Sequence, residues 1–182
     1  ASADLSTASN ATPTQIVTPT SSQATDSEEA LLNKIKTLAA SGKIINCDFA
    51  EQKNISDVSD KWGDPDSSEY IADASGTYVT YNKYNVVFGL NKGDQIFEIR
   101  SFDKQLSVIT LNGLKEKYGT PDYDVTSNNQ EIIGYVVNSD YKLLFVFPKP
   151  TTSAKNPTLD HYSVFWPKGT VNLMADYKGR EW

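Results

Sequence analysis

Histidine, cysteine and methionine each occur once in the 182 residues, as His161, Cys47 and Met174. Zinc draws three or four ligands from His, Cys and carboxylates, so this composition argues against a zinc centre. A single cysteine excludes an intrachain disulfide. Cys47 lies between Asn46 and Asp48. A reactive thiolate needs positive neighbours, which these do not supply, so Cys47 reads as a small buried apolar side chain. His161 falls in a strand-like stretch and reads as a structural residue, not a general base. A Ser-His-Asp arrangement would have to use it, and no G-x-S-x-G turn is present to carry the serine. Phosphate-loop and dinucleotide fingerprints are missing as well. No apolar run approaches the roughly 20 residues of a membrane span. Positive charge is also short. Lys and Arg number 17 against 23 Asp and Glu, for a formal charge of −6, which argues against nucleic acid and anionic membranes as partners. The expectation is no metal, no cofactor and no enzymatic centre.

The acids themselves offer two readings. Asp57, Asp60, Asp64, Asp66 and Glu69 cluster in sequence, but without the spacing and turn glycine of a calcium loop, so they read as a solvated helix face and turn. A carboxylate pair for glycoside hydrolysis requires a separation in space that sequence does not give.

What the chain does contain is one block used twice. Asn54-Ile55-Ser56-Asp57-Val58-Ser59-Asp60-Lys61-Trp62-Gly63-Asp64-Pro65-Asp66 returns as Thr110-Leu111-Asn112-Gly113-Leu114-Lys115-Glu116-Lys117-Tyr118-Gly119-Thr120-Pro121-Asp122. Each copy predicts a short helix. Asn54 and Thr110 are N-cap types. Ile55, Val58 and Trp62, like Leu111, Leu114 and Tyr118, make one apolar stripe. Gly63 and Gly119 suit the residue past the helix end, and Pro65 and Pro121 forbid continuation. Helices this short are not stable alone, so the stripe must pack on something. Tyr84–Leu90 and Tyr141–Phe147, aromatic and β-branched runs, supply matching strands. Tyr84 and Tyr141 fall on their core stripe. Tyr78-Val79 aligns with Tyr135-Val136. The helix copies lie 56 positions apart and the strand copies 57, which reads as a duplicated unit.

In order, residues 1–26 are rich in Ser, Thr, Ala and Pro and too poor in apolar side chains to offset ordering entropy. They read as a disordered tail of the kind that tethers an exported domain. The chain starts without Met and shows no signal peptide, so such a segment is expected to have been removed. Residues 27–182 read as one globular domain. Repeat one spans 27–103 and repeat two 104–182. Ser27 opens a first helix as N-cap, with Glu28 and Glu29 in its first turn. Four strands follow each repeated helix, with a hairpin turn at Asn91-Lys92-Gly93-Asp94 and a proline-rich loop from Pro148 to Asp160. The tail from Pro167 carries Val171, Leu173, Met174 and Trp182, which are expected to clamp back on the domain. The fold class is α+β, two tandem helix-plus-four-strand units with the helices on one face of an antiparallel sheet.

The helix–Trp/Tyr–Gly–x–Pro block followed by aromatic strands resembles the repeat of the beta-lactamase-inhibitor-protein-like fold, also seen in outer-membrane lipoproteins of the SmpA/OmlA type. More closely, residues 42–182 resemble the YjgB-type family of secreted Gram-positive proteins, a domain of unknown function. Lys61-Trp62-Gly63, Val86-Val87-Phe88-Gly89, Gln95-Ile96-Phe97-Glu98, Ile133-Gly134-Tyr135, Lys142–Pro148 and Leu159-Asp160-His161-Tyr162 carry that likeness. It implies a fold and an extracellular or cell-surface location, and no catalytic residues.

Duplication, aromatic strands and the missing catalytic constellation together point to a non-enzymatic exported binding module, presenting a sheet surface to a protein or cell-wall ligand. A structural or assembly component of the cell envelope is the alternative, and a carboxylate-based hydrolase the third reading. Outward Tyr and Trp give large contact area at low entropic cost. Tyr78, Tyr135, Arg100 and Lys142 are the candidate binding face.

Overall fold

Asn54 and Thr110 cap the two repeated helices as their chemistry directs. The computed structural model describes residues 21–170, 178–180 and 182. Its helices are α1 (Ser21–Ala39), α2 (Ile55–Trp62) and α3 (Leu111–Tyr118). The Asn54 side chain accepts from Ser56 N and the Thr110 hydroxyl from Gly113 N, both at 3.0 Å. Each short helix stops on a glycine at φ 81°, backbone that a side-chain-bearing residue enters only with strain.

The strands are β1 (Ser67–Ile71), β2 (Gly76–Tyr81), β3 (Val86–Leu90), β4 (Ile96–Ser101), β5 (Tyr123–Ser127), β6 (Gln130–Val136), β7 (Lys142–Pro148) and β8 (His161–Phe165). They form one sheet in the order β1-β2-β3-β4-β8-β7-β6-β5, with every neighbouring pair antiparallel. Two four-stranded meanders therefore join along their last strands. The junction centres on Arg100 opposite Ser163, with Glu98 opposite Phe165 and Ser101 opposite Tyr162.

The residues that match between the two blocks have matching structural work. Gly63 O accepts from the Tyr81 hydroxyl at 3.1 Å and Gly119 O from the Tyr135 hydroxyl at 2.9 Å. Asp66 accepts from Asn82 N at 2.7 Å and Asp122 from Val136 N at 2.8 Å. Lys53 O accepts from Ile96 N, and Ile109 O from Leu159 N, both at 2.8 Å. Each helix is thus fixed to its own meander at both ends.

The apolar stripes meet the sheet in one large core. Leu32, Ile35, Val58, Leu114, Phe88, Ile99, Phe145 and Tyr162 there have no exposed surface. Burying an aliphatic or aromatic side chain of this size contributes roughly 1.5–3 kcal/mol. All three helices contribute to that core and so lie on one face of an α+β fold. Trp62 stacks on Tyr84 at 3.8 Å and meets Phe49 edge-on at 5.0 Å. Tyr141 sits at the rim of the core, its ring against Gly42 and its hydroxyl accepting from Gln52 at 2.9 Å. Cys47 is buried, and burial pushes its thiol up to about 11, as its neighbours led one to expect.

Two expectations are corrected. The first helix begins at Ser21, not Ser27; once a helix exists, extending it by a polar turn costs little. Glu28 does not serve its own first turn. Its carboxylate accepts from Thr110 N at 2.6 Å and from the Thr110 hydroxyl at 2.9 Å, at the start of α3. With the Tyr118 hydroxyl donating to Leu32 O at 2.6 Å, α1 is docked on the second half of the molecule although it precedes the first.

The second correction concerns Tyr78. The β2 counterpart of Tyr135 is Tyr81 and not Tyr78, as the shared bond to a helix-ending glycine shows. Tyr81 lies opposite Val86, whereas Tyr135 lies opposite Leu143, so the β6–β7 connection is three residues longer. An odd slip in a strand turns a side chain to the other face. Tyr78 and Tyr135 are both buried, on opposite faces of the sheet.

Candidate functional site

The sheet face away from the helices carries two small apolar clusters with a polar gap between them. Tyr78, Phe97 and Phe165 form one, Tyr123, Ile132 and Leu144 the other. Between them is a cleft of about 420 Å³, floored by Glu98, Arg100, His161 and Ser163 and rimmed by residues such as Asp73, Asn128, Gln130 and Lys178. The floor is the β4–β8 junction.

A register shift places Glu98 there. Gly89 faces Glu98 while Leu90 faces Ile96, so Phe97 is the extra residue of a bulge, a device that re-aims side chains. Glu98 is 1% exposed yet charged. Its carboxylate accepts from the Tyr78 hydroxyl at 2.8 Å and from Arg100 Nε and Nη2 at 2.7 and 3.3 Å, and it pairs with Arg180 Nη2. The Arg100 guanidinium lies 4.4 Å above the Tyr78 ring and that of Arg180 4.4 Å above the Phe165 ring. Burial pushes the Glu98 carboxyl up, but the charges of Arg100 and Arg180 outweigh it and hold it well below the usual range. Burial pushes the Tyr78 phenol well up, reinforced by the Glu98 charge, so it remains a donor.

His161 is held differently. Its ring stacks on Phe102 at 4.6 Å, and its Nδ1 lies 2.6 Å from Asp160 Oδ2. Burial lowers its pKa against the opposing pull of Asp160, leaving the ring neutral near pH 7. A carboxylate only accepts, so Nδ1 carries the proton.

The arrangement is a buried cluster of mutually neutralising charges. Glu98, saturated by two guanidiniums and a phenol, is neither a proton donor nor a free base, and hydrolysis needs carboxylates in those roles. Among the described residues, no hydrogen bond joins His161 to Ser163, and no three His, Cys or acidic side chains are gathered to hold a metal. Nor is any helix among the described residues long and apolar enough to cross a membrane. Asp66 of the acidic cluster is engaged with Asn82 N.

Of the four residues named from the sequence, Arg100 and Lys142 lie half-buried on this open face. Tyr78 is on the same face but roofed by Arg100. Tyr135 belongs to the helix-side core. Glu98, His161 and Arg180 were not named. A signal for Glu98 was present, a charge inside the apolar run Ile96-Phe97-Glu98-Ile99. None existed for Arg180, whose partner is remote in sequence. Trp182 does clamp back, as expected of the tail; Val171, Leu173 and Met174 lie outside the described residues.

The model of a family described as a domain of unknown function, DUF4309, matches residues 32–165. No curated protein matches the chain. Among solved structures, a DUF4309 family protein, YjgB, from Bacillus subtilis subsp. subtilis str. 168 is similar at TM-score 0.59 and 21% identity, over 78% of this chain and 99% of that one. At that identity the likeness is one of fold.

Proposed function

The chain belongs to the DUF4309 family, a domain of unknown function, and within that family we propose that it is an exported, non-enzymatic binding module whose open sheet face holds a protein or cell-envelope ligand. One observation carries the reading: a cleft with a buried charge cluster on a sheet face that the helices leave uncovered. Buried ion pairs are weak devices for stability, and apolar replacements often do as well. Their retention in the floor of a cleft supports a role in specificity. The Ser/Thr/Pro-rich composition of the residues that precede α1 supports an exported domain on a tether.

The test is retention of the protein on an immobilised cell-envelope fraction. Gln130 is an exposed residue at the cleft rim, so Gln130→Trp fills the cleft without entering the core. Wild type is retained, and Gln130→Trp reduces retention about tenfold, as loss of a well-packed contact does. Lys34→Ala on the exposed side of α1 leaves it unchanged. Equal retention of Gln130→Trp and wild type refutes the assignment of this face.

A further inference from the structure

The open face already has an occupant. Arg180 places its guanidinium against Glu98 and over Phe165, its side chain 2% exposed. Gly179 follows the left-handed backbone at φ 92°, and its N–H reaches the Tyr123 hydroxyl at 3.3 Å. The Trp182 indole lies on the Tyr123 ring at 5.5 Å, donates Nε1–H to Gly179 O at 2.9 Å and has the Lys142 ammonium 4.2 Å above it. Lys142 Nζ also donates to the main-chain oxygen of Trp182. Beneath the indole is Gly134, where a Cβ would come within 2.4 Å of the ring.

These contacts have the form of peptide recognition. Two anchors, a guanidinium and an aromatic ring two residues on, enter separate sites built by strands distant in sequence. Aromatic and arginine anchors in desolvated sites carry most of the energy of such contacts. The aromatic site is prepared in one half only. By register, Tyr123 and Gly134 of β5 and β6 correspond to Ser67 and Thr80 of β1 and β2. The second half therefore has an aromatic shelf beside a gap that the first half fills with a side chain.

We propose that the open face is a peptide-docking groove filled by the chain's own residues 178–180 and 182, and that a partner segment bearing arginine, then an aromatic residue two positions later, docks by replacing them. This rests on the reading of the open face as the binding surface and names the partner's chemistry. Charge complementarity sets the first position: a carboxylate at the bottom of a buried site admits a guanidinium and rejects an acid. The Tyr123–Gly134 shelf under Lys142 sets the second, since a flat π-face suits both the ring below and the cation above. The tethered segment competes at high effective concentration, so a free peptide binds only to the fraction of molecules whose own segment is out.

The probe is a fluorescein-labelled pentapeptide with the sequence Lys-Gly-Arg-Glu-Trp, titrated by anisotropy against the full chain. Trp182→Ala removes the indole but leaves Glu98 and the shelf intact; it binds the peptide about tenfold tighter than wild type, because its own segment is out more often. Lys142→Ala, a milder surface change, is the second variant should Trp182→Ala unfold. It loosens the native segment and the peptide alike, and its peptide dissociates faster. A peptide with Ala in place of Arg binds the Trp182→Ala protein about tenfold more weakly. Adding Gly134→Leu to Trp182→Ala abolishes peptide binding. Equal affinity of the wild type and Trp182→Ala, or of the Arg and Ala peptides, overturns the groove. If that happens while envelope retention remains sensitive to Gln130→Trp, only the groove falls. Retention insensitive to Gln130→Trp overturns the open-face reading itself.

Discussion

Phe88 in β3 and Phe145 in β7 hold matching places, each without exposed surface, each edge-on to a tyrosine that bonds a helix-ending glycine. On the other side of the same sheet the correspondence ends. The register that pairs Gly89 with Glu98 and Val146 with His161 makes these two residues equivalents, and they share neither charge nor partners. Arg100 stands where the other half has Ser163, and Thr80 where the other half has Gly134. The side facing the helices has the same packing problem in both halves and solves it the same way. The side facing solvent has no such constraint, and there the halves differ.

The sharpest way to break this comparison is to empty equivalent core positions. Phe88→Ala and Phe145→Ala should each cost about 3–5 kcal/mol, as full truncation of a buried ring does. Urea midpoints measure it. A loss confined to one half would mean that the two helix-side cores are not equivalent.

Glu98→Ala follows in size. It strands two guanidiniums, one with a side chain 2% exposed, and breaking a buried pair in this way costs about 3–5 kcal/mol. His161→Ala, at the equivalent place, loses a stacked ring and one partly exposed hydrogen bond, a cost nearer 1 kcal/mol. Similar costs for the two would show that the open face is as symmetric as the core. The pair also separates by pH. Glu98 has a lowered folded-state pKa, so its contribution is complete above the unfolded value of about 4.3 and is lost as pH falls below it.

The legibility of the chain follows the same division. The helix caps, the glycine stops, the strand-borne aromatics and the α+β class stood in local sequence because each is enforced by neighbours within a few residues. Tyr135 was misplaced because its alignment with Tyr78 assumed a constant spacing, and a three-residue difference in one hairpin reverses the face. The cleft was invisible for another reason. Glu98, His161 and Arg180 meet only because the two meanders join at their last strands, and nothing local records which strands meet. The lone His161 read as structural, and its stacking on Phe102 fits that reading while also placing it in the cleft floor.

Glu51 sharpens the comparison further, since it has no counterpart. It is 2% exposed, and neither carboxylate oxygen has a hydrogen-bond partner among the described residues; the residue at the equivalent offset before α3, Ser107, is exposed. Burial, reinforced by the Glu98 charge, raises its pKa well above the usual range. A raised folded-state pKa means stability complete below the unfolded value of about 4.3 and declining as pH rises toward the folded value. Glu51→Met should therefore stabilise by about 1–2 kcal/mol at pH 8, by removing an unpartnered buried carboxyl, or several degrees in Tm. The gain should shrink toward pH 4. A gain independent of pH would place the effect in packing and not in ionisation.

The smallest effect tests how the two short helices meet the same need by different routes. α2 carries its own acid, Asp57, in its first turn; at the matching place α3 has Gly113. A side chain at 113 would collide with Glu28, whose Oε1 lies 2.0 Å from the position of a Cβ. The glycine thus makes room for a carboxylate delivered by α1. Gly113→Ala gains about 1 kcal/mol of helix propensity but displaces Glu28 from two part-exposed hydrogen bonds worth about 1 kcal/mol each. The net is a loss of about 1 kcal/mol. Asp57→Ala loses only a dipole interaction, about 0.3–1 kcal/mol. The coupling decides the matter. In Glu28→Ala protein, Gly113→Ala should turn from destabilising to stabilising, because the collision is gone and the propensity gain remains, while Asp57→Ala should cost the same with or without Glu28. Thermal melts of the two double-mutant cycles measure this. A Gly113→Ala effect indifferent to Glu28 would mean that α1 merely lies beside α3 and does not cap it.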